Sequence, residues 1–163
     1  MEATLVSLDH DLVILGSAVR TSPATAMDDI PRAWQQLTGA GLLDTLPRQP
    51  SDPGLYAVYC DYEQDERGPY TMVLGVAVDP AAEGRVGLRR VTIPAGEYGC
   101  IAAAGDPAQV IWRAWAYVNG AWPSRSSRRY IADYERYPLA TLRPDYADAE
   151  VRVGLRRSAP APR

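Results

Sequence analysis

The sequence predicts an α+β domain assembled from two similar halves, each reading strand, helix, strand, strand, with a groove between them. Three observations predict it. The stretch Arg32-Ala33-Trp34-Gln35-Gln36-Leu37-Thr38-Gly39-Ala40 recurs as Arg113-Ala114-Trp115-Ala116-Tyr117-Val118-Asn119-Gly120-Ala121, with five of nine positions identical at an offset of 81. Ile30, Ala33, Trp34 and Leu37 trace one face of a helix, and Ile111, Ala114, Trp115 and Val118 trace the same face 81 residues on. After each helix a tyrosine-rich, β-prone run carries a second match, Tyr59-Cys60-Asp61-Tyr62-Glu63 with Ile131-Ala132-Asp133-Tyr134-Glu135, at an offset of 72.

The elements follow in order. The first half, about 4–78, opens with the apolar run TLVSLDHDLVILGSAVRT, read as its leading strand. The first helix has Asp28 and Asp29 where the dipole favours anions, Pro31 read as lying in the first turn, and Gly39 as its stop. LYAVYCDYE and YTMVLGVAV supply two further strands. The second half, about 88–157, opens with LRRVTIPAGEYGCIAAAG. Its helix starts at Asp106-Pro107-Ala108-Gln109, an N-cap followed by proline at the first helical position, and stops at Gly120. RRYIADYE and AEVRVGLRR close it. Pro-, Gly- and Asp-rich turns (46–54, 65–69, 79–87 and 137–146) separate the elements. Neither half of about 75 residues buries enough surface alone, so residues 1–157 read as a single domain and 158–163 as a flexible tail.

Composition narrows the function. Seventeen basic residues against 20 acidic give a net charge of −3, which argues against direct nucleic-acid binding. No apolar run reaches the length of a membrane span, and the N-terminus lacks signal-peptide features, so a cytoplasmic protein is expected. His10 is the only histidine and sits between Asp9 and Asp11, as a solvated turn residue would. Neither a histidine-based metal site nor a catalytic triad without His10 can be built, and no phosphate-cradling glycine loop is present, so no metal and no cofactor are expected. Cys60 and Cys100 read as buried small apolar residues rather than a redox pair. Ten tyrosines and four tryptophans, with no phenylalanine, suit a pocket that needs apolar bodies with polar edges. Nothing in the sequence fixes the oligomeric state.

These residues carry a family resemblance. YAVYCDYEQDERGPYTMVLGVAV resembles the first-half signature of GyrI-like effector-binding domains. RVTIPAGEYGCIAAAG resembles their mid-chain strand and turn, and RYIADYERYP with AEVRVGLRR their closing strands. The likeness runs from about Leu5 to Arg157. It implies a curved antiparallel sheet with two helices and a groove for bulky, often cationic, aromatic small molecules. Some members of that family are sensor domains fused to DNA-binding helices, and some stand alone in toxin protection. One inhibits gyrase, and a few hydrolyse cyclopropane-bearing alkylators. No DNA-binding segment precedes Leu5, so a stand-alone member is expected.

The resemblance places a glutamate of the closing motif in the pocket, here Glu135. A carboxylate among aromatic walls attracts a delocalised cation, and burial raises its pKa. On the residues alone, pairing of Glu135 with Arg136 or Arg129 on a solvent face is equally open. Strand alternation groups Glu135 with Tyr137, and the repeat adds Tyr59, while Asp133 and Asp61 are as readily satisfied by an arginine or the backbone at a strand end. Tyr56, Tyr70 and Tyr98 are strand tyrosines that line the groove or fill the core. Trp34 and Trp115 are mates on the helix faces, either core or wall, and Trp112, off the apolar stripe, is placed to wall the groove. Arg125, Arg128 and Arg129 form a cluster that suits a solvated loop or an anionic partner. The expected function is binding of a hydrophobic, cationic aromatic molecule for sensing, sequestration or protection. The alternatives are a hydrolase opening a strained ring, with Glu135 and Tyr59 as catalytic residues, and a protein-interaction module that inhibits a DNA-handling enzyme.

Overall fold

The computed structural model describes residues 1–39 and 41–157, so the tail expected at 158–163 lies outside the described residues. Strands β1 (Thr4–Leu8) and β2 (Leu12–Thr21) lead into helix α1 (Ala26–Gly39), the one-turn helix α2 (Leu42–Thr45), and strands β3 (Gly54–Cys60) and β4 (Tyr70–Val78). The second half runs β5 (Arg89–Ile93), β6 (Gly96–Gly105), helix α3 (Pro107–Asn119), a 3-10 turn (Arg125–Ser127), β7 (Ala132–Pro138) and β8 (Ala147–Gly154). Each long apolar run expected as one leading strand is therefore two. The turn at Asp9–Asp11 divides the first, and Pro94, which has no N–H to give a ladder, divides the second. Asp11 Oδ1 accepts from the Ala95 N–H at 2.7 Å and ties the two turns together.

All eight strands form one antiparallel sheet in the order β1-β6-β8-β7-β3-β4-β2-β5. Exchanging the strands of one half for those of the other reverses this order onto itself, so a pseudo-two-fold axis passes between β3 and β7. The leading strands cross over: β1 pairs with β6 of the other half, and β5 pairs with β2. The axis can be located to the residue. β3 and β7 are each seven residues long and pair from Gly54–Pro138 to Cys60–Ala132. Laid end to end, they make Tyr59 the equivalent of Tyr137 and Ala57 the equivalent of Glu135. Ala57 and Glu135 are also cross-strand partners, which puts that pair on the axis.

This register corrects one part of the sequence reading. The halves superpose at an offset of 81 in the helices, but at 78, not 72, in these strands. The second sequence match is accidental: β3 ends at Cys60, and Asp61 turns out of the strand at a φ of 49°.

α3 begins as its cap sequence requires, with Asp106 Oδ1 accepting from Ala108 N–H at 3.0 Å and Pro107 at the first position. α1 starts earlier than the aspartates suggest. Ser22 and Thr25 carbonyls accept the first amides, and Asp29 accepts from the Thr21 hydroxyl at 2.9 Å. Pro31 consequently sits inside the helix, in its second turn, where its missing N–H leaves the carbonyl of the exposed Met27 to solvent. Among the described residues no helix is long and apolar enough to cross a membrane.

Both sheet faces are buried. Leu37, Leu55, Ala57, Met72, Leu74 and Val76 fill the helix side. Opposite them, the curled wings of the sheet bring Ile14, Ile93 and Tyr98 onto Tyr56, Val58 and Tyr134. Val118 and Ala114 of α3 close a third cluster on Ile101, Val151 and Val153. Buried Cys60 and Cys100 are free thiols.

β2 and β4 approach most tightly where Gly16 faces Gly75. A Cβ on Gly75 would lie 2.1 Å from the Leu15 carbonyl oxygen, a backbone atom that cannot swing aside. Gly75→Ala is expected to destabilise the protein by about 3 kcal/mol or more. Gly84→Ala, where nothing lies within 4 Å of the added carbon, should leave the denaturation midpoint essentially unchanged. Urea denaturation of the two variants checks both.

Candidate functional site

The helices lie on one face of the sheet and leave a groove of about 1130 Å³ between them, over the axis. Ile30 and Trp34 of α1 form one wall and Ile111, Trp112 and Trp115 of α3 the other; Tyr59, Tyr70, Glu135 and Tyr137 form the floor. The pseudo-symmetry shows directly in the aromatic packing. Trp34 meets Tyr137 edge-on with ring centroids 5.0 Å apart, and its mate Trp115 meets Tyr59 at the same 5.0 Å.

Glu135 breaks the symmetry. It rises from the floor on the axis and has Ala57 opposite, whose small side chain leaves room for it. Its carboxylate is 1% exposed and accepts three hydrogen bonds. The Tyr59 hydroxyl donates to Oε1 at 2.7 Å, Trp115 Nε1–H donates to the same oxygen at 2.6 Å, and the Tyr137 hydroxyl donates to Oε2 at 2.5 Å. Burial pushes the Glu135 pKa above its ordinary 4.5, and the three donors pull against it without cancelling it. The phenols shift in the same direction: burial, then the neighbouring carboxylate, hold Tyr59 and Tyr137 well above the ordinary tyrosine value, so both remain donors.

Of the nine residues singled out from sequence, seven line this groove: Glu135, Tyr137, Tyr59, Tyr70, Trp34, Trp112 and Trp115. The tryptophans Trp34 and Trp115 are half-buried walls as well as packing residues, and Trp112 is 65% exposed at the rim. Tyr56 and Tyr98 do not belong to the groove. Alternation turns Tyr56 to the far face of the sheet, and Tyr98 packs there against Tyr134 at 5.4 Å. Each is anchored by its hydroxyl, Tyr56 donating to Asp52 at 2.6 Å and Tyr98 to the Pro94 carbonyl at 2.6 Å.

The charged neighbours also resolve. Glu135 pairs with neither Arg136, which reaches Asp52, nor Arg129, which donates to Tyr98. Asp61 pairs with Arg89 outside the groove. Asp133 is buried and accepts from Arg128, the Tyr62 hydroxyl and the Gly154 amide. The arginine cluster divides: Arg125 is exposed, as a solvated loop would have it, and Arg128 is buried. Arg125 donates to the Asn119 carbonyl at the end of α3, and Arg128 is 1% exposed at one end of the groove. Tyr62, Glu66, Asn119 and Arg128 line one end of the groove and were not singled out as site residues. Tyr62 follows the strand end, and the left-handed Asp61 swings it onto the groove side. Only the backbone turn at Asp61 reveals this.

Comparison with known proteins agrees with this architecture. The family model of the integron-associated effector binding proteins matches residues 4–155. The Bacillus subtilis (strain 168) protein YobU, which carries the name of a transcriptional regulator, is 26% identical over 148 residues, spanning 87% of this chain and 91% of its own. The crystal structure of an integron cassette protein from the mobile metagenome of Vibrio cholerae aligns over 96% of this chain and 97% of that one, with a TM-score of 0.72 at 21% identity. The structure of SAV2435 bound to tetraphenylphosphonium aligns over 96% and 94%, with a TM-score of 0.78 at 17% identity. At such identities the two structures establish the shared fold.

The raised pKa of Glu135 sets a stability signature. In the folded protein the carboxyl holds its proton to higher pH than in the unfolded chain. The stabilisation this gives is complete below about the ordinary 4.5 and is lost as pH rises through the folded value. Glu135→Gln, which cannot ionise, lacks this dependence. Urea denaturation across a pH series should show wild type losing stability relative to the variant as pH rises from 4.5. The opposite slope would mean that the three donors outweigh burial.

Proposed function

The chain belongs to the integron-associated effector binding proteins, a family of the GyrI-like fold, and we propose that its groove binds hydrophobic, cationic aromatic small molecules for sensing or sequestration in the cytoplasm. The observation that carries this reading is the buried carboxylate of Glu135 on the groove floor, held among the rings of Tyr59, Trp115 and Tyr137. A compact inorganic cation would forfeit its hydration on entering such a site. A delocalised organic cation has little hydration to lose and gains twice. Each aromatic face it meets contributes about 0.5–2 kcal/mol. A unit charge about 6 Å from the carboxylate, at an effective dielectric of about 20, gains about 3 kcal/mol. The walls are already in place, held by their own edge-to-face contacts, so little ordering entropy opposes binding. A fold relative, SAV2435, was solved with tetraphenylphosphonium bound, a cation of this class.

The hydrogen bonding favours binding over ring hydrolysis. A carboxylate offers about four lone-pair positions, and three are taken by protein donors. The single position left limits a general base, which must also face water, whereas an electrostatic counter-charge works with its donors in place.

Tetraphenylphosphonium should quench the tryptophan fluorescence of the wild-type protein saturably. In Glu135→Gln its affinity should fall about ten- to a hundredfold, the range that loss of the Coulomb gain implies. Neutral triphenylmethane should bind both proteins alike. Equal affinity of wild type and variant for the cation would remove Glu135 from the site.

A further inference from the structure

The two ends of the groove differ in a way the pseudo-symmetry does not require. One end is lined by Thr38, Leu43, Leu139, Leu142 and Pro144, with the exposed Arg143 and the exposed helix-capping Asp106 at its margin. The symmetry-related stretches at the other end supply Tyr62, Glu66, Asn119 and Arg128. A ligand lying along the groove thus meets a mainly apolar end, with its charges at the exposed margin, and an end that holds a buried guanidinium.

The polar end is built around a buried guanidinium that is only partly used. One terminal nitrogen of Arg128 donates to Asn119 Oδ1 at 2.7 Å and the other to Asp133 Oδ2 at 2.8 Å. Its Nε is buried with no partner among the described residues. The Tyr130 ring lies 4.4 Å from the guanidinium carbon, and the Tyr130 hydroxyl donates to Glu66. Because Arg128 occupies the amide oxygen of Asn119, what Asn119 has left to offer the groove is its N–H2 group. The sign of charge decides what that donor suits. Asp133 at 2.8 Å and Glu66 at 3.9 Å already offset the charge of Arg128. An anionic group would gain no net attraction there and would meet Glu66. A neutral oxygen acceptor accepts the donors without that repulsion.

We propose that the Asn119–Arg128 corner is a hydrogen-bond-donor subsite for a neutral oxygen acceptor, a carbonyl or ether, carried at one end of the ligand. It rests on the reading of the groove as a cation site and adds to it a direction: the ligand is held one way round, acceptor toward Asn119, hydrocarbon toward Leu142.

The test compares tetraphenylphosphonium with its para-acetyl derivative, which differs by one carbonyl-bearing group. Titrations follow tryptophan fluorescence in wild type, Asn119→Asp and Glu135→Gln. Asn119→Asp keeps an oxygen facing Arg128 and removes the donor. The acetyl compound should bind wild type about five- to tenfold more tightly than the parent, the margin that one added hydrogen bond gives, and that preference should vanish in Asn119→Asp. Equal affinities in wild type, or a preference that survives in Asn119→Asp, overturns the subsite. The wild-type comparison decides even if the variant fails to fold. Binding that weakens in Glu135→Gln but ignores the acetyl group sinks the subsite alone. If neither cation binds wild type, the cation site fails and the subsite with it.

Discussion

The pairing of β3 with β7 across the pseudo-two-fold axis sets the geometry on which the groove depends. That one register places Ala57 beside Glu135 and, two residues on in each strand, Tyr59 and Tyr137 on the same face. The tyrosines flank the carboxylate from opposite sides because the axis relates them, and each hydroxyl takes one of its oxygens. The helices, tied to their strands by the same symmetry, bring a tryptophan down on each tyrosine. A slip of β7 by one residue in this ladder would turn Glu135 and Tyr137 to the far side of the sheet and leave Tyr59 without them.

Within this frame the charge state of the groove floor is simple. Tyr59 and Tyr137 are held neutral by burial and by the carboxylate they serve, so the floor's charge is set by Glu135. The Trp115 indole cannot ionise in any accessible range, and it has no acceptor to offer. All three neighbours therefore donate, which lets the acid stay buried at a tolerable electrostatic cost despite the loss of water. Trp34, the mate of Trp115, faces the same floor from the other helix, but its place over Tyr137 is purely one of ring packing. Near-symmetric geometry thus surrounds an asymmetric charge.

Much of this was legible in the sequence, and the reasons for the rest are specific. The helix repeat with its glycine stops identified both helices and their matching tryptophans, because amphipathic spacing and cap chemistry are local signals. Alternation joined Tyr59, Glu135 and Tyr137 on one face. The same rule sets Tyr56 opposite Tyr59, so the exclusion of Tyr56 from the groove was available in the sequence. For Tyr98 it was not, since the facing of β6 relative to β7 depends on a register carried through β8. The doubled leading strands were hidden by apolar runs that continue through their turns. Arg128 looked like a solvated residue in a serine- and arginine-rich stretch; its burial depends on Asp133, whose partner no local pattern announces.

The crossing of the outer strands has a consequence for the origin of such a site. With β1 laid on β6 and β5 on β2, each half completes its sheet only with material from the other. A half-length ancestor with this arrangement would be a strand-exchanged homodimer, and a homodimer must place identical residues on both sides of its axis. There, a glutamate opposite a glutamate would set two buried carboxylates against each other, and alanine opposite alanine would leave no charge at all. A single carboxylate on the axis requires the two halves to differ, which two halves within one chain are free to do. Ala57 facing Glu135 is the departure from two-fold symmetry at the position where a charge on the axis depends on it.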